Sequence, residues 1–139
     1  MTAAQLAAVN RRRAQIVRTE MRKSLRGLGS SMVAYCRERL TEEIYAIPED
    51  VTSTGKKKWK RTRQLLKGEQ YELREPDSVA VINKTPYAEP RHEAGKPGHR
   101  KINPLRVSHW RDELVTTFRP IVTDVARLTL QAIIRRGAA

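Results

Sequence analysis

The sequence predicts an α+β fold: a long N-terminal helix and a C-terminal helix packed on a small antiparallel sheet of three or four strands, with long extended loops between them. Three observations carry that expectation. Apolar residues recur every three or four positions across residues 2–46 and again across 120–136, the period of a helix with one buried stripe. Residues 78–83 read Ser-Val-Ala-Val-Ile-Asn, β-branched and apolar, behind an alternating run at 70–74, the pattern of paired strands. Residues 49–63 and 85–107 show neither period and are rich in base, Pro, Gly and small polar residues, which reads as loop. A chain of 139 residues fits one domain.

The first element is a helical region over residues 1–47. Thr2 and Gln5 have the spacing of a capping box. The apolar stripe then runs through Leu6, Val9, Ile16, Met21, Leu25, Leu28, Met32, Cys36, Leu40 and Ile44. Gly27 and Gly29 each cost about 1 kcal/mol in a helix interior, so a break near residues 26–30 is allowed for. Pro48 ends the region, because the residue before a proline avoids the α conformation.

A basic arm over 48–68 follows, in which residues 64–67 are a further strand candidate closed by Gly68. Antiparallel strands occupy 69–84, with Glu75-Pro76-Asp77 as their turn. Residues 85–117 form a long basic loop, of which 108–118 is ambiguous between a short helix carrying Trp110 and Leu114 and a strand with a bend. The closing helix spans 118–137. Pro120 suits its first position, Arg135 and Arg136 complement its C-terminal dipole, and Gly137 stops it.

Composition narrows the function. Lys and Arg number 28 against 15 Asp and Glu, a net charge of +13 with a pI near 10.6. Leu, Ile, Val and Phe make up 30 of the 139 residues, just above the level of about 20% below which chains tend to disorder. The core is therefore thin, and partner surfaces or sister subunits are expected to complete it. No run of about 18 apolar residues is present to span a membrane. The Ala-rich start precedes its basic residues, the reverse of a secretory signal. A single cysteine, Cys36, cannot form an internal disulfide and suits a reducing compartment. Phosphate-loop, dinucleotide and nucleophile-elbow motifs are missing from the sequence. The expectation is a scaffold or binder, not an enzyme, with no cofactor.

Positive charge is spread along the chain, and its densest run is Lys56, Lys57, Lys58, Lys60, Arg61 and Arg63, with Trp59 among them. Such a run is a phosphate-contact surface whose indole can stack on a base, or a solvated loop whose charge aids solubility, or one that docks on an acidic protein. A second, looser set is Arg91, Lys96, Arg100, Lys101 and Arg106. His92, Glu93 and His99 share that loop and His109 follows, but three histidines without fixed geometry seldom hold a metal, and a small nuclease built on His92, Glu93 and His99 is the weakest reading. Cys36, on the apolar stripe, reads as a small core residue.

Three short pieces in a fixed order resemble a known family. Thr54-Gly55 stands in the basic arm after the long helix. Val81-Ile82-Asn83 leads into Thr85-Pro86-Tyr87-Ala88, then Glu93 and Gly95. Phe118-Arg119-Pro120 opens the closing helix. This resembles the neck and tail-completion family of long-tailed bacteriophages, the minor tail component or head–tail joining proteins. The family's aspartate before Thr-Gly is Ser53 here, its leucine-containing arm is replaced by the lysine run around Trp59, and the stretch from Gly95 to Phe118 is longer.

The resemblance implies a structural virion protein. It would form an oligomeric ring at the head–tail junction, assembled in the host cytoplasm, between the connector or head-closure proteins and the tail-tube or tail-terminator proteins. Genomic DNA would pass nearby. Lys56, Lys57, Lys58, Trp59, Lys60, Arg61 and Arg63 would face DNA or a partner. Tyr87, Arg91, His92, Glu93, Gly95, Lys96, Arg100 and Lys101 would form an interface loop, and Thr54, Gly55, Ala88, Phe118 and Pro120 would be structural. The alternative reading is a small basic nucleic-acid-binding protein.

Overall fold

The computed structural model describes residues 1–45, 64–74, 77–85 and 110–138. Helix α1 (Ala3–Leu40) is the spine, 38 residues and roughly 57 Å long. Its start is the expected capping box: the Thr2 hydroxyl accepts from the Gln5 amide at 3.1 Å, and the Thr2 amide donates to the Gln5 side chain at 2.8 Å. The helix passes through Gly27 and Gly29 without a break and widens into a π-helical segment, Thr41–Tyr45.

The hairpin lies directly against Gly29. A Cβ on it would lie 2.6 Å from Cγ of Tyr71 and 3.0 Å from Cγ2 of Val79, whereas nothing lies within 4 Å of one on Gly27. One glycine is therefore a contact and the other is only a weak point in the helix.

Residues 64–67 correct the expectation of a further strand. They belong to a short helix α2 (Gln64–Gly68), which drops Leu65 into the core. The chain then enters β1 (Glu69–Arg74), which pairs antiparallel with β2 (Ser78–Asn83) from Glu69 opposite Asn83 to Arg74 opposite Ser78. Among the described residues the sheet has these two strands, not three or four. Tyr71 and Leu73 face α1 with Val79 and Val81, while Gln70, Glu72 and Arg74 are exposed.

The closing helix α3 (Leu114–Arg135) begins four residues earlier than the sequence suggests, and the ambiguous stretch before it is a turn over 110–113. Pro120 is inside the helix, not at its first position. In its second turn the ring removes one backbone donor, a loss that the rest of a 22-residue helix outweighs. The far end stops as expected. Gly137 is left-handed (φ 76°), its amide donates to Ile134 O at 2.9 Å, and that of Ala138 donates to Ile133 O at 3.1 Å, the paired bonds of a Schellman cap.

Helix α3 lies antiparallel along α1. The contacts Phe118–Tyr35, Thr129–Ser24 and Arg136–Glu20 step backwards along the spine. The hairpin also packs on α1, on a different side, and leans little on α3. Cys36, Leu40, Leu65 and Trp110 form the buried core where α1, α2 and the turn before α3 meet.

Candidate functional site

Most of the residues singled out from sequence lie outside the described residues: Thr54, Gly55, the arm from Lys56 through Arg63, and Tyr87, Ala88, Arg91, His92, Glu93, Gly95, Lys96, Arg100 and Lys101. Phe118 and Pro120 are described. Phe118 is buried and meets the Tyr35 ring edge-on, centroids 5.7 Å apart, with Thr117 and the Tyr35 hydroxyl 3.5 Å apart beside it. It packs α3 against α1. Pro120 is exposed.

The anchor points of those two segments are described, and they converge. The chain leaves the described fold shortly after Leu40 and returns at Gln64, then leaves again after Thr85 and returns at Trp110. Leu40, Leu65 and Trp110 share one core cluster, and the Asn83 side chain donates to Leu65 O at 2.7 Å while accepting from the Thr85 amide at 3.0 Å. Both segments are therefore rooted at one end of the molecule. Residues 46–63 carry six cations against two acids, and residues 86–109 carry five against two, so +7 of the +13 is attached there.

A buried network ties this root together, and the sequence reading missed it. Glu69 is fully buried, and its carboxylate accepts from Arg111 Nε at 2.9 Å and Nη2 at 3.0 Å and from Asn83 Nδ2 at 2.9 Å. Its backbone oxygen accepts from Arg37 at 2.8 Å. The bidentate fork suits a carboxylate that has lost its water. Arg111 also lies 5.7 Å from the centre of the Trp110 ring. Burial, then the nearby Glu69 carboxylate, push the Cys36 thiol up to about 12, so it stays protonated and inert at neutral pH. One signal was available: Glu69 shares the inward parity of Tyr71 and Leu73. This network fastens α2, the hairpin and the turn before α3 to one another. Among the described residues no group of three or more metal-ligating side chains occurs, and no helix is long and apolar enough to cross a membrane.

The second feature is apolar and open. Because the hairpin and α3 each rest on α1, a trough runs between them. Its upper part, about 440 Å³, is lined by Met32, Val79, Val81, Leu114, Phe118 and Val122. Its lower part, about 330 Å³, continues along Met21, Leu25, Val122, Ala126 and Leu130 past Asp77. The ridge of α3 beside it, Val115–Val122–Ala126–Leu130, has steps of seven, four and four, a straight apolar line on a helix. Across α3 as a whole, Val115, Ile121, Val122, Leu128, Leu130 and Ile134 are 41% to 68% exposed. Comparison with known proteins finds no matching family model, no similar curated protein and no similar solved structure.

Proposed function

We propose that this chain is a structural virion protein, a subunit of an oligomeric ring in the neck of a long-tailed phage that joins the tail to the head connector. The observation that carries the reading is the uncovered apolar surface of α3 and the trough beside it. Six large aliphatic side chains open to water on one 22-residue helix exceed the scattered exposure of a finished monomer surface. Covering them with a neighbouring subunit is the direct remedy. A contact between two different faces repeats from copy to copy and closes into a ring when its rotation closes. The thin core and the order of short motifs around Thr54-Gly55, Asn83 to Gly95 and Phe118 to Pro120 support the same reading.

In this reading the two basic segments rooted at one end are interface loops, and they reach the adjoining connector, head-closure, tail-tube or tail-terminator rings. Immunogold labelling of tailed particles, viewed in negative stain, tests it: label at the head–tail junction is expected, and label confined to capsid faces or the tail tip refutes it. The net charge of +13 favours one alternative, a monomeric nucleic-acid-binding module, which predicts salt-steep binding without assembly.

A further inference from the structure

Helix α1 changes character along one face. Counting 100° per residue, Gly29, Val33, Cys36 and Leu40 fall in one sector, and all four are buried. The hairpin covers Gly29, and α2 and Trp110 pack on Cys36 and Leu40. Asp77, just before β2, lines the trough beside Met21 and Leu25. Towards the N-terminus the same sector, roughly 140° wide, continues as Arg11, Arg12, Gln15, Arg18, Thr19, Arg22, Lys23 and Arg26. All eight are exposed. Six are cations, and none is acidic or apolar. The one acid in this stretch of helix, Glu20, lies off the sector and pairs with Arg136 at 2.9 Å.

We infer that this stripe is a binding site for the phosphate backbone of duplex DNA, separate from the lysine run at 56–63. Arg22 already has a contact of its own. That leaves Arg11, Arg12, Arg18, Lys23 and Arg26, five cations along about 22 Å of helix, to face a duplex that presents one negative charge per about 1.7 Å of its axis. Guanidinium forks bind phosphate oxygens in pairs, and four of these five cations are arginines. The absence of any apolar or aromatic side chain in the sector decides against a protein partner, because protein interfaces are anchored on such groups at their centres and exclude charge there. With no aromatic group to stack and no base-reading pattern, the contact is independent of sequence. The site goes beyond the assembly reading and stands whether the chain works as a ring subunit or alone.

The test is a salt titration of the full chain on a mixed-sequence 30-base-pair duplex, comparing wild type with R11Q/R12Q/R18Q/R26Q. Gln propagates a helix nearly as well as Arg, so circular dichroism and sedimentation of the variant should match wild type. The plot of log affinity against log salt should be shallower by about 3 to 4 in the variant, close to 0.9 for each phosphate contact removed. A parallel K56Q/K57Q/K58Q/K60Q variant should keep the part of the slope that α1 supplies. Wild-type affinity and slope in the arginine variant would overturn the inference. So would the absence of duplex binding at low salt, or equally tight, arginine-dependent binding to polyglutamate. Sedimentation is read separately, so failure here leaves the assembly proposal to its own test.

Discussion

Two glycines two residues apart in α1 look alike in sequence and differ in what surrounds them. Open space beside Gly27 means that Gly27→Ala removes only backbone freedom. It should raise stability by about 1 kcal/mol, seen as a melting temperature about 4 °C higher. At Gly29 the new methyl would enter the Tyr71 ring, whose Cγ lies 2.6 Å away. The expected overpacking cost of about 1–3 kcal/mol outweighs the helical gain, so Gly29→Ala should melt lower than wild type. Thermal melts of the two variants side by side check this, and equal shifts would mean that the hairpin does not press on α1. Glu69 is the other residue whose environment decides its meaning. A glutamate at the start of a strand reads as solvated until its inward parity and the Arg111 fork are seen together.

Among the elements, α1, β2 and the C-terminal stop of α3 were legible because local pattern decides them: a capping box, a β-branched run, a glycine after two arginines. Misread elements were those that tertiary contact decides. Residues 64–67 carry two adjacent leucines that fit a strand or a turn of helix equally well, and the helix prevails by seating Leu65 beside Cys36 and Leu40. Helix α3 starts at Leu114 because Trp110 is fixed in the core, so the chain is already in register to wind before Pro120. The partners of Glu69 sit 14 and 42 residues away, too far for any local pattern to announce. Removing the fork should therefore loosen several elements together. Arg111→Ala should lower unfolding stability by about 3 kcal/mol, since it strands a buried carboxylate, and Arg111→Lys should recover only part, lacking the paired geometry. Chemical denaturation of both variants measures the effect, and an unchanged midpoint for Arg111→Ala would remove the network's structural role.

At the scale of the whole molecule, two bodies share one spine and leave apolar surface between them. A hairpin and a helix that both rest on α1 without closing on each other bury a cluster around Trp110 at one end and leave Val115, Val122 and Leu130 open. The same end roots the two segments that hold most of the net charge. A body with an open apolar face beside the root of two strongly basic segments makes sense as a part of something larger, and the account stands or falls on that. The direct measurement is the mass of the isolated protein by sedimentation velocity across a concentration series, with Val122→Asp alongside it. The account predicts that the 15.9 kDa chain assembles into a discrete oligomer as concentration rises, and that Val122→Asp stays monomeric with its helical content intact. A wild-type protein that remains a compact monomer at every concentration would contradict it.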